Sequence, residues 1–189
     1  MGRSGKGVDD SMARERKIRI CFYEPRAKNE HPINLMAASI GSAFLGREYW
    51  VSHCEILFED DFACSIYAGE CVFFKRRTYS NPFYKVKAFT VGDEQYRVMY
   101  GYCQLMADEG IPFSNLKMTC APMFGFFKNM NATFCSEIVV RALQRGGVEF
   151  AKKLDASRTT PSRLLYSMNR AETLLFDATP HRMGQSLRV

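Results

Sequence analysis

Hydrophobic and polar positions repeat with two different periods along this chain, and each change of period marks an element. Residues 18–23 alternate and predict a strand, ended by Glu24-Pro25. Between 33 and 45, the positions of Leu35, Met36, Ser39, Ile40, Ala43 and Phe44 predict a helix, loosened by Gly41 and stopped at Gly46. Residues 50–58 are the strongest strand. Val51, His53, Glu55 and Leu57 fall on one face, and Ser52, Cys54, Ile56 and Phe58 on the other. Glu59-Asp60-Asp61 reads as a turn. Residues 62–74 predict one or two short strands broken at Ala68-Gly69, and 83–90 predict another after a turn at 79–82. Three or four antiparallel strands so joined make a sheet with independent stability.

Helical periodicity then takes over. Residues 93–108 carry an apolar stripe of Tyr96, Met99, Tyr100, Cys103 and Met106, with Asp93 as the expected N-cap and Gly110 beyond the end. Residues 111–131 are irregular, with Pro112, Pro122, Gly125 and four phenylalanines. A long apolar loop of this kind forms either the wall of a cleft or packing beneath the next helix. That helix is marked by Phe134, Ile138, Val139 and Ala142. It starts at or near Cys135 and closes at Gln144-Arg145-Gly146-Gly147. After a loop at 155–161, Pro161 opens a helix through Met168, and Leu174, Leu175 and Phe176 predict a terminal strand. The expected organisation is a disordered extension over 1–16, a single α+β domain over 17–176 and a tail over 177–189.

Composition narrows the class. With 189 residues, 47% hydrophobic and 24% charged, the chain supports one domain with a real core. It has no apolar run of about 18 residues, the length a membrane-spanning helix needs. Its seven cysteines are an odd number with no CxxC spacing, which argues against zinc-ribbon and redox motifs. No metal or organic cofactor is expected. The basic N-terminus has no apolar stretch behind it, so no secretory signal is expected, and an intracellular, reducing location suits the thiols. The net charge of +6 admits an acidic partner or an anionic membrane surface. Much of the excess lies in the tails and in Lys75-Arg76-Arg77, which reads as a solvated face. The absence of an RNP-type motif, zinc finger or basic helix argues against a nucleic-acid partner.

Candidate chemistry centres on Cys135. A helix start offers unsatisfied N–H groups that stabilise a thiolate, and Glu137 in the first turn suits the positive end of the dipole. A thiol needs a base. His53 is the histidine set in a strong strand, whereas His31 lies in a polar loop and His181 in the tail. Glu55 shares its strand face, about 7 Å away along the backbone, and is the first choice to orient the ring. The Cys135 N–H would serve an oxyanion hole, with Tyr23 and Asn131 as guesses for a second donor. Cys54 alternates to the opposite face from His53, and Cys120 in the long loop is the main rival thiol.

Ser52-His53-Cys54-Glu55-Ile56, followed much later by Phe134-Cys135-Ser136-Glu137-Ile138-Val139, resembles the circularly permuted NlpC/P60 papain-like cysteine hydrolases. The likeness covers roughly residues 33–168. Ser136 and Glu137 after the cysteine favour the bacterial YiiX-like and poxvirus branch over the lecithin:retinol acyltransferase cousins, where Glu-His follows. The resemblance implies an antiparallel sheet packed against the cysteine helix, in permuted order. It implies thiol-dependent hydrolysis of an amide, isopeptide or ester bond through an acyl-enzyme, with Cys135 as nucleophile and His53 as base and then acid. It leaves the third residue open between Glu55 and, from the next strand, Ser65 or Glu70. The substrate would be a peptide, an isopeptide or an acyl lipid. Two alternatives stand beside this: a lipid acyltransferase or phospholipase at an anionic membrane, and an interaction protein that keeps the fold without turnover. Large-virus members of the group make a viral source an expectation.

Overall fold

The structure, a computed structural model, describes residues 14–26, 30–79, 82–114 and 132–178, the side chains of 173–178 excepted. Five strands form one antiparallel sheet in the order β4-β3-β2-β1-β5. They are β1 (Glu15–Tyr23), β2 (His53–Leu57), β3 (Phe62–Ser65), β4 (Phe73–Arg76) and β5 (Tyr84–Gly92). β1 pairs with β5 from Glu15↔Gly92 to Tyr23↔Tyr84 and with β2 from Arg19↔Leu57 to Tyr23↔His53. β2 is thus the middle strand, and each of its residues is buried.

Alternation decides what lies on each side of it. Ile18, Ile20 and Phe22 of β1 and Cys54 and Ile56 of β2 enter the main apolar core. Two helices cover that face: α2 (Asp93–Asp108) and α3 (Cys135–Arg145). From α3, Ile138, Val139, Ala142 and Leu143 are fully buried in the same core. Each large aliphatic side chain so buried contributes about 2 kcal/mol of hydrophobic stabilisation. Cys21, Leu57 and Ala63 point the other way, into a smaller cluster with Phe73, Tyr79 and Tyr84.

Three further helices complete the α+β architecture: α1 (Pro32–Ser42), the short α4 (Glu149–Lys152) and α5 (Pro161–Ala178). Pro32 is the first residue of α1, and the His31 ring accepts the Ile33 N–H at 3.3 Å, so this histidine serves as a cap. α1 packs closely on α5. A Cβ added at Gly41 would lie 2.6 Å from Ser162 Oγ, so glycine is what lets the helices approach. Ser162 Oγ in turn donates to the Val51 carbonyl at 3.2 Å, which ties the start of α5 to the segment leading into β2.

Three expectations need correction. Glu15 and Arg16 belong to β1 rather than to the extension. Arg16 is held by Glu59 at 2.7 Å and Asp93 at 3.2 Å and lies over the Tyr96 ring. Gly92, not Asp93, is the N-cap of α2. The Gln95 side chain accepts the Gly92 N–H at 3.2 Å, while Asp93 pairs with Arg97 at 2.7 Å. The terminal strand at 174–176 is absent, because α5 runs unbroken from Pro161 to Ala178. Leu164, Leu165 and Met168 already set a helical stripe, and three apolar residues after it carry no period of their own. Most of the long loop lies outside the described residues, and with it Cys120, Asn131, His181 and the expected cleft wall. Among the described residues no helix is long and apolar enough to cross a membrane.

Candidate active site

α3 begins at Cys135. Phe134 before it is extended, with φ −139° and ψ 166°, and caps the helix with no side-chain hydrogen bond. The N–H groups of the first turn are therefore left to whatever sits at the cysteine. Glu137, one turn in, is tied up structurally. It accepts a two-pronged contact from Arg141, at 3.1 Å and 2.7 Å, and lies 3.3 Å from Thr133 Oγ1.

His53 opens β2, where pairing with Tyr23 fixes its backbone. Its Nε2 lies 3.3 Å from Glu55 Oε1 and 3.4 Å from Ser65 Oγ. Ser65 gives its own proton to the Cys54 carbonyl at 2.7 Å, so towards the imidazole it accepts. Both neighbours thus favour a proton on Nε2, and the ring also hydrogen-bonds the Cys135 side chain. Tyr67 stacks on the ring at 4.8 Å between centroids, 23° from parallel, and holds its plane.

Glu55 is fully buried, yet well supplied with donors. Tyr67 donates to Oε1 at 2.9 Å, Tyr79 to Oε2, and Tyr84 to Oε1 at 3.5 Å. Arg77 approaches Oε1 at 3.7 Å, packed among the rings of Tyr67, Phe73 and Tyr79. Burial pushes the Glu55 carboxyl up, but its contacts with His53, Tyr79 and Arg77 win and hold it below its usual range. The same burial, next to the Glu55 charge, raises Tyr84 to about 12, so the hydroxyl stays a donor.

The two reacting groups shift in opposite directions. For Cys135 the largest influence is a hydrogen bond from the Cys54 thiol. Burial opposes it, and the imidazolium of His53 and the Cys54 N–H add to it, so Cys135 falls well below an ordinary thiol. Burial alone would lower His53, but the neighbouring Cys135 and Glu55 charges outweigh it and raise the ring to about 9. Cys54 moves up, because burial and the adjacent Cys135 charge both disfavour a second thiolate. A thiolate–imidazolium pair is the state these directions describe.

Sequence reasoning brought Cys135, His53 and Glu55 forward, and the fold brings all three together. Ser65 also reaches the ring. Glu70 does not appear among the groups around His53; it lies beyond β3, where its carbonyl accepts the Phe113 N–H at 2.9 Å. Tyr23 hydrogen-bonds Glu30 through its hydroxyl at 2.6 Å, which commits that proton elsewhere. The residues missed were Tyr67, Tyr79, Tyr84 and Arg77, and the contact of Cys54 with Cys135. Alternation sends Cys54 away from Glu55, but α3 lies on that side and delivers its first residue there. A cleft of about 240 Å³ opens at the pair, lined by Tyr23, Asn34, Ser52, His53, Tyr67 and Cys135. Across Cys135 a slot of about 20 Å³ runs between Met36, Ile40 and Phe134. Among the described residues no group of three or more His, Cys, Asp or Glu side chains is placed to hold a metal ion.

Compared with protein-family models, curated protein sequences and solved structures, the chain matches none.

Proposed function

We propose that this protein is a thiol-dependent hydrolase of the permuted papain-like kind, cleaving an amide, isopeptide or ester bond through an acyl-enzyme on Cys135. The observation that carries the reading is the buried set of Cys135, His53 and Glu55, in which the thiol is shifted down and the imidazole up to about 9. The Cys135 thiolate attacks the carbonyl carbon. The His53 imidazolium then protonates the leaving group as the tetrahedral intermediate collapses, and the neutral ring activates water for deacylation. Glu55 holds the ring in register and favours its charged form. The motifs around His53 and Cys135 support the fold assignment, and the α+β sheet with a cysteine-led helix is compatible with it.

A second reading has its own support. α1, beside the slot, exposes Leu35, Met36 and Ile40, and Phe44 just after it is fully exposed. From Pro32 to Gly46 the sequence carries no charge. A lipid acyl substrate, met at an anionic membrane, would suit that surface.

The test is the rate of Cys135 alkylation against pH in the wild type, His53→Ala and Glu55→Gln, with the modified sites mapped by mass spectrometry. Selective reaction from mildly acidic pH upward, moved into the ordinary thiol range by His53→Ala, is the expected result. A Cys135 that reacts like any other thiol, indifferent to His53, makes the protein an interaction module without turnover.

A further inference from the structure

The tetrahedral intermediate of such a reaction places a full negative charge on the former carbonyl oxygen, and one backbone N–H at the start of α3 is half of an oxyanion hole. The other half is a donor that must face Cys135 and be uncommitted. Tyr23, the nearest phenol on β1, hydrogen-bonds Glu30. Ser52 is uncommitted among the described residues and lines the same cavities as Cys135. It is the last residue before β2, with its N–H bonded to the Tyr23 carbonyl at 3.0 Å. The residue is 6% exposed, and its Oγ has no hydrogen-bond partner among the described residues. It also lines both the cleft and the slot that flank Cys135.

A buried hydroxyl without a partner is destabilising, because it has given up its water and gained nothing in return. The other buried serines around the site avoid this. Ser65 Oγ donates to the Cys54 carbonyl at 2.7 Å, Ser136 Oγ to Thr159 at 2.7 Å and Ser162 Oγ to Val51 at 3.2 Å. Ser52 is the exception, and it is the serine that lines both cavities at the candidate nucleophile. We infer that Ser52 is a catalytic residue of the proposed reaction, its hydroxyl the second donor of the oxyanion hole. The inference rests on the hydrolase reading above.

The step balances without a change in Ser52. Cys135 Sγ forms a bond to the carbonyl carbon, and the displaced π pair moves onto oxygen. Ser52 Oγ–H and the Cys135 N–H then donate hydrogen bonds to that oxygen, with no proton transferred. The pair returns as the bond to the leaving group breaks, and the departing atom takes its proton from His53. An alanine at position 52 would leave the thiolate intact and remove a donor needed only when the oxyanion exists.

Two reagents separate these demands. Iodoacetamide alkylates a thiolate at a saturated carbon and builds no oxyanion, whereas p-nitrophenyl acetate acylates it through one. Both rates are measured at Cys135 in the wild type and Ser52→Ala, with Cys135→Ala as the background from the other thiols. The expected result is acylation at least tenfold slower in Ser52→Ala, with alkylation unchanged within twofold. Equal acylation in the two proteins overturns the assignment. A parallel loss of acylation and alkylation also overturns it, since Ser52 would then merely support the shape of the site. Failure of the hydrolase reading looks different: wild-type Cys135 is itself no faster than an ordinary thiol with either reagent.

Discussion

The two faces of β2 solve the same burial problem in opposite ways. Towards α3, Cys54 and Ile56 disappear into an apolar core with Ile138, Val139 and Leu143. Towards the other side, the same strand buries His53 and a fully inaccessible Glu55. The first face needs only shape and volume. The second is tolerable only because Tyr67, Tyr79, Tyr84 and Arg77 surround the carboxylate with donors and charge. The contrast shows where this chain accepts risk: a charge in the middle strand is worth keeping if it sets the state of an imidazole two residues away.

Breaking the polar face at the ring gives the largest effect. His53→Ala should slow Cys135 alkylation at neutral pH by about 10–100-fold, because a few per cent of an ordinary thiol is still ionised there, measured with the fold checked by circular dichroism. Next comes loss of packing on the apolar face. Ile138→Ala should lower unfolding stability by about 3 kcal/mol, read from denaturant titration, and leave the pH profile of Cys135 unchanged. Glu55→Gln sharpens the comparison, because it keeps the volume and removes the charge. His53 is raised to about 9 partly by Glu55, so turnover should be lost at lower pH in the variant than in the wild type. The sign follows from the roles. In the proposed mechanism the imidazolium that would protonate the leaving group exists below the His53 pKa, and the thiolate exists above the lowered Cys135 pKa, so the expected active window lies between them. Lowering the first value narrows that window from its alkaline side. Smallest of all, Tyr79→Phe removes one of several donors to Glu55 and should cost about 1 kcal/mol, with a slight shift of the alkaline limb in the same direction.

Much of the apolar face was legible in the sequence, and much of the polar face was not. Period-two alternation around His53 and the stripe from Phe134 to Ala142 carry their own geometry, so a strand and a helix starting at Cys135 could be read directly. The shared face of His53 and Glu55 followed from the same rule. Tyr67, Tyr79, Tyr84 and Arg77 come from β5 and from the segments on either side of β4, and no local pattern announces that they converge on one carboxylate. Arg77 was read as part of a solvated basic run, yet its guanidinium is held among aromatic rings. Ser52 escaped for a different reason. Its position in the motif was plain, but what sets it apart is the absence of a partner among the described residues, and that is visible only once the neighbouring hydroxyls have been assigned.

The narrow passage between Gly41 and Ser162 links these regions in time as well as in space. Ser162, packed against Gly41, also donates to the Val51 carbonyl, one residue before Ser52. Movement of the first turn of α5 away from Val51 therefore releases the backbone that presents the Ser52 hydroxyl, while the sheet beneath stays paired. In native-state hydrogen exchange, amides of α1 and of the first turns of α5 should open together as one cooperative unit, at lower free energy than those of β1 and β2. Gly41→Ala, which crowds the passage, should bring that opening closer to the ground state and make the proposed second donor intermittent.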